Sequence, residues 1–119
     1  MRKNIEVYIK NNDKKKISNY KAIYLKDKQV LKYQEDDKTN VTLNLKDNIL
    51  IRENNEIYMK YIFIKNNITE SNILIKDLDK NINIKIKTNK ILKQDKIYEL
   101  EYEIIESNEK FIYKVKMED

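Results

Sequence analysis

The run Ile97-Tyr98-Glu99-Leu100-Glu101-Tyr102-Glu103-Ile104-Ile105, the connection Glu106-Ser107-Asn108-Glu109 and the run Lys110-Phe111-Ile112-Tyr113-Lys114-Val115-Lys116-Met117 decide the fold class. Tyr98, Leu100, Tyr102 and Ile104 alternate with acids, and Phe111, Tyr113, Val115 and Met117 alternate with a mostly basic set. Strand side chains point to opposite faces with a period of two, so each run has one apolar and one charged face. With Glu106 to Glu109 as a four-residue loop, the runs form a hairpin. Ile104 then meets Phe111, Tyr102 meets Tyr113, Leu100 meets Val115 and Tyr98 meets Met117. The other face sets Glu101 against Lys114 and Glu99 against Lys116. Each such cross-strand pair contributes roughly 0.2–1 kcal/mol.

The same alternation runs back to the N-terminus, and no window of a dozen residues carries a helical period. Strands are predicted at Asn4–Lys10, Lys16–Lys26, Gln29–Glu35, Asn40–Lys46, Ile49–Glu53, Glu56–Lys65, Asn72–Asp77, Ile82–Thr88, Ile97–Ile105 and Lys110–Met117. The chain contains no glycine, so the positive φ angles of tight hairpins fall to Asn and Asp, which tolerate the left-handed region. Two-residue turns are expected at Asp27-Lys28, Asp47-Asn48, Asn54-Asn55 and Asp79-Lys80. They pair Tyr24 with Leu31, Ala22 with Tyr33, Leu45 with Leu50, Leu43 with Arg52, and Arg52 with Ile57. A loop from Asp36 to Asn40 pairs Leu31 with Leu45 and Tyr33 with Leu43. One face then carries Tyr20, Ala22, Tyr24, Leu31, Tyr33, Glu35, Val41, Leu43, Leu45, Leu50, Arg52, Ile57, Met59, Tyr61 and Phe63, and that face is the core side. Ile23, Leu25, Val30, Ile51, Ile62 and Ile64 fall on the other. A meander of eight to ten short strands with one apolar face must close on itself or stack as two sheets, and closure, which also removes the exposed edges, is favoured. The reading is an all-β single domain over residues 1–119: one antiparallel up-and-down barrel.

Composition removes whole chemistries. The 119 residues include no Cys, His, Gly, Pro or Trp. Nucleophile–histidine pairs, N/S zinc sites, disulfides, P-loops and dinucleotide fingerprints are therefore excluded. The longest apolar run, Tyr61 to Ile64, is far short of the ~20 residues that span a bilayer, and no signal-peptide core opens the chain; a soluble cytoplasmic protein is expected, without a membrane partner. Twenty Ile, sixteen Asn and the single Ala22 match the codons of an AT-rich gene, which also accounts for the lysines. Lys+Arg number 25 against 20 Asp+Glu, but the lysines are interleaved with acids rather than gathered into a phosphate-tracking stripe, which argues against nucleic acid as the partner.

The succession Tyr24-Leu25-Lys26, Val30 to Glu35, Val41-Thr42-Leu43, Ile49-Leu50-Ile51-Arg52 before a tight turn, Met59 to Phe63, Ile84 to Thr88 and Leu100-Glu101-Tyr102 resembles the YwiB-like family of small bacterial proteins. It departs from that family at Asn54-Asn55 and near Leu78 to Asn81, where the family has glycine-containing turns. The resemblance covers nearly the whole chain and implies a calycin-like, lipocalin-type β-barrel, with a small-molecule pocket by analogy to other calycins.

The core face holds the candidate site. Arg52 is inward by parity, and a buried arginine must meet a carboxylate, an anion or water at a barrel mouth. With Tyr20, Tyr33, Glu35 and Tyr61 it forms a ligand-binding set for a small anionic or amphipathic molecule; alternatively Glu35 and Arg52 are a structural pair. The segment Asp77-Leu78-Asp79-Lys80-Asn81 imitates the start of a calcium loop, but Ile82 stands where Gly is needed and Thr88 where the bidentate Glu belongs, so it reads as a turn with no metal. Glu99, Glu101 and Glu103 lie away from the core face, leaving no convergent acid pair for hydrolysis. The expectation is a binding protein, monomeric or homodimeric, without cofactor or catalysis. The alternatives are a protein-interaction module working through the outer apolar residues and a weak non-specific nucleic-acid binder.

Overall fold

The computed structural model describes residues 1–118, and they form one closed barrel. Its ten strands are β1 (Arg2–Asn11), β2 (Lys14–Leu25), β3 (Val30–Gln34), β4 (Asn40–Asn44), β5 (Ile49–Glu53), β6 (Ile57–Ile62), β7 (Ile68–Ile75), β8 (Lys80–Gln94), β9 (Ile97–Ile104) and β10 (Glu109–Glu118). Each strand pairs antiparallel with its chain neighbours, and β1 closes the ring against β10. Among the described residues no helix is long and apolar enough to cross a membrane.

The core is the inward set of the alternation. Leu31, Leu43, Ile86 and Leu100 are fully buried, with Ile5, Val7, Val41, Tyr98, Phe63 and Val115 beside them. Ala22, Tyr33, Leu45, Leu50 and Tyr61 are buried too, while Tyr20, Tyr24 and Met59 pack against the core from its margin. Face assignment by parity therefore holds along the middle strands. On the outer side Ile23, Leu25 and Ile64 are exposed.

Register differs from the sequence reading at most hairpins, by two residues in each but β7–β8, where the turn expected at Asp79-Lys80 is displaced and Ile75 faces Lys80, a shift of four. Ala22 faces Tyr33 and Tyr24 faces Leu31, as expected. Tyr102, however, faces Phe111 rather than Tyr113, which lies opposite Leu100, and Tyr98 faces Val115. Glu99 faces Lys114, while Glu101 faces Ile112 and takes its lysine from β8, where Lys90 reaches both acids at 2.9 and 3.4 Å. Similarly Leu43 faces Leu50 and Leu31, Val41 faces Arg52 and Tyr33, and Arg52 faces Met59. The cause lies in the loops. Residues 45–48 and 105–108 form four-residue turns whose last residue, Asn48 or Asn108, holds the left-handed conformation; residues 26–29 turn in the same way, ending at Gln29, with the register expected. The β5–β6 turn is centred on Asn55-Glu56, with the Asn54 N–H donating to the Ile57 carbonyl at 3.0 Å. A two-residue shift leaves every side chain on its face, so the stripe pattern cannot detect it.

Two strands are longer than expected. β7 begins at Ile68, and β8 continues through a bulge at Asn89, between Thr88 and Lys90, to Gln94. The bulge inserts one residue and breaks the alternation, which hides the second half of the strand from a period-two search. Asp77 and Leu78 belong to a 3-10 turn (Lys76–Leu78), and Asp79 is its left-handed stop.

Candidate functional site

Connections alternate between the two barrel ends. At one end the 45–48 turn and the strands around it are packed shut: Phe63 and Tyr98 are fully buried, and the Tyr98 hydroxyl donates to Asn48 Oδ1 at 2.9 Å. The other end carries the β1–β2, β3–β4, β5–β6, β7–β8 and β9–β10 connections, and it is open.

Beneath those loops lies a cavity of about 190 Å³ lined by Ile9, Tyr33, Glu35, Val41, Leu50, Arg52, Met59, Tyr61, Tyr102, Phe111 and Tyr113. Parity on β3 and β5 aims Tyr33, Glu35 and Arg52 inward, and two loops hold them there. The Glu35 N–H and carbonyl bond Thr39 and Lys38, closing a tight loop whose left-handed residue is Lys38. Asn54 Oδ1 accepts from the N–H groups of Glu56 and Ile57 at 2.8 and 3.0 Å, and its Nδ2 donates to the Oγ1 of buried Thr39 at 3.0 Å. One side chain thus shapes the turn after Arg52 and ties it to the loop after Glu35.

The Arg52 guanidinium donates from its NH2 group to Glu35 Oε1, forming an ion pair in which the arginine side chain is 33% exposed and the glutamate 15%. Burial pulls the guanidinium pKa down, but the hydrogen bond and charge of Glu35, helped by Tyr33 and Asp37, outweigh it and leave it raised. Arg52 Nε is buried and has no partner, and the second Glu35 oxygen accepts no bond among the described residues.

Aromatic groups form the walls. The Tyr33 and Tyr113 hydroxyls share a hydrogen bond of 2.7 Å. Tyr102 stacks on Phe111 with centroids 5.2 Å apart and planes at 12°, and Tyr61 meets Tyr102 edge-on at 6.3 Å. Burial raises the phenol pKa of Tyr33, Tyr61, Tyr102 and Tyr113 above its usual value, so all four are hydrogen-bond donors at any physiological pH. The hydroxyls of Tyr61 and Tyr102 have no partner among the described residues.

Of the residues singled out in the sequence, Tyr33, Glu35, Arg52 and Tyr61 come together around this cavity. Tyr20 does not line it: it stands behind Tyr33 and stacks on it at 5.2 Å. Tyr113 and Phe111 were inward by parity, but only closure of β10 onto β1 swings them across from β3. Met59 replaces Ile57 beside Arg52 through the register shift.

No family model matches the chain, and no curated protein matches it. Among solved structures, the ywiB protein from Bacillus subtilis has a similar fold, with a TM-score of 0.61 over 98% of this chain and 89% of that one at 11% identity. At that identity the likeness is one of fold, and it agrees with the resemblance carried by the strand patterns.

Proposed function

We propose that this chain is a cytoplasmic, calycin-like barrel that binds a small amphipathic molecule at its open end, without catalysis. The observation that carries this reading is the gathering of the Arg52–Glu35 pair and the Tyr61 and Tyr102 hydroxyls, which have no partner among the described residues, around one aromatic-walled cavity. A few convergent polar groups on apolar walls are what a ligand pocket requires. The cavity is smaller than the roughly 300–1,000 Å³ that encloses a drug-sized molecule. Its occupant is therefore small, or leaves part of itself outside the mouth. Because Glu35 already neutralises Arg52, the amphipathic form of the reading is favoured over the anionic one.

Native mass spectrometry of freshly purified protein tests this. A small-molecule adduct is expected, and Met59→Trp, which fills the mouth, should lose it. A bare mass, together with no chemical-shift change at Met59 or Tyr61 on titration with p-cresol or with uracil, would remove the proposal.

A second reading, protein interaction through the outer face, has its own observation. Leu25, Val30, Asn44, Ile49 and Ile62 are successive register partners across β2 to β6, so four apolar side chains form one outward row, with exposed Ile23 and Ile64 near it. Sedimentation equilibrium should then show a concentration-dependent dimer that Ile49→Lys disrupts; a strict monomer would dismiss it.

A further inference from the structure

We infer that the mouth recognises a flat, neutral ring that carries an N–H and a C=O side by side, the cyclic amide edge of a pyrimidine or purine base; this rests on the ligand-binding reading above. Three observations converge. The first is charge. Among the cavity residues there is one cation, Arg52, and one anion, Glu35, and they are bonded to each other. An entering anion would have to draw Arg52 away from Glu35 and leave a carboxylate uncompensated, and an entering cation would strand Arg52 in the same way. A neutral group disturbs neither.

The second is the pattern of free hydrogen-bonding groups. The pair uses one glutamate oxygen and one guanidinium nitrogen, which leaves a Glu35 oxygen as an acceptor and the remaining guanidinium N–H groups of Arg52, a side chain 33% exposed, as donors. A cyclic amide presents the complement, N–H toward the carboxylate and C=O toward the guanidinium. The Tyr61 and Tyr102 phenols, held protonated by burial, are further donors for a second carbonyl. A plain carboxylate or phenol ligand would leave either the acceptor or the donors unmatched.

The third is shape. Tyr102 and Phe111 stack with planes at 12° and both line the cavity; Phe63 and Tyr61 already pack against Tyr102, so a flat ring joins the stack at Phe111. A space of about 190 Å³ admits such a ring but not a bulky aliphatic body.

The test is titration of the full chain, followed by NMR of the Met59 methyl and the Tyr61 ring, with uracil, 1,3-dimethyluracil, benzoate, p-cresol and uridine 5′-monophosphate as probes. Uracil should saturate both signals. Dimethyluracil, which has no N–H, should bind about tenfold more weakly, as should uracil to Glu35→Gln, since a bond to a charged acceptor is lost. Tyr61→Phe, which removes only a hydroxyl, should weaken uracil and leave p-cresol unchanged. Tighter binding of the monophosphate than of uracil would assign the ring to a nucleotide, and weaker binding to the free base; both agree with the inference. If p-cresol shifts the signals and uracil does not, the cyclic-amide inference fails while the ligand-binding reading stands. If benzoate binds most tightly, an anion site replaces it. If no probe shifts either signal, both are overturned.

Discussion

Five buried phenols, those of Tyr33, Tyr61, Tyr98, Tyr102 and Tyr113, keep their protons beyond the usual range because burial disfavours the phenolate. In the unfolded chain they would release them near about pH 10. Above that pH the unfolded state binds fewer protons than the folded one, so stability falls as pH rises, by up to about 1.4 kcal/mol per pH unit for each phenol still protonated in the fold. Below it the contribution is complete and constant. Urea unfolding midpoints should be flat from about pH 8 to about pH 9.5 and drop steeply beyond, in step with phenolate absorbance. A midpoint unchanged to about pH 11 would show that these hydroxyls reach solvent. Tyr33→Phe should cost about 1–2 kcal/mol at neutral pH, since it leaves the Tyr113 hydroxyl buried without the one partner it has among the described residues, and should also flatten the alkaline slope.

Eight of the nine connections between strands contain one left-handed residue, and none is glycine. Five of the positions, Asn12, Asn48, Asn66, Asp79 and Asn108, carry the residue types that tolerate that conformation best after glycine, whereas Gln29, Lys38 and Lys96 do not. Gln29→Gly and Lys38→Gly should therefore each raise stability by about 0.5–1 kcal/mol, read as a higher thermal midpoint, and Asn66→Gly should gain less. A loss at Gln29 would mean that its side chain holds the turn. These loops also explain how far the elements could be read. Period-two alternation shows which face Tyr33, Arg52 and Tyr113 occupy, because packing enforces it. It is blind to a slip of two, and Asn48 and Asn108 end their turns instead of lying inside them. Placing the left-handed residue last in each loop corrects both hairpins at once. The bulge at Asn89 is a different failure: no turn residue announces it.

At the scale of the whole molecule, the barrel was legible as the favoured of two ways, closure or two stacked sheets, for one-sided apolar strands with no helix to cover them to bury their face. What closure brings together was not. Tyr33 and Tyr113 lie 80 residues apart and share a hydrogen bond only because β10 joins β1. That seam has a further consequence, in time rather than in shape. Every other ladder joins strands consecutive in the chain, whereas the seam's bonds, such as Asn11 to Glu109, close a separation of 98 residues. The entropy of so long a closure is spent before its contacts form, so they are expected to be weak at the folding barrier. Ile5, buried between Tyr20 and Met117, probes this. Ile5→Ala should cost about 2–4 kcal/mol, almost all of it as faster unfolding, with the folding rate changed by less than about threefold. Stopped-flow chevrons decide it, and an equal slowing of the folding arm would place the seam in the nucleus instead. The lifetime of the closed ring is then set by eight residue pairs between the first strand and the last.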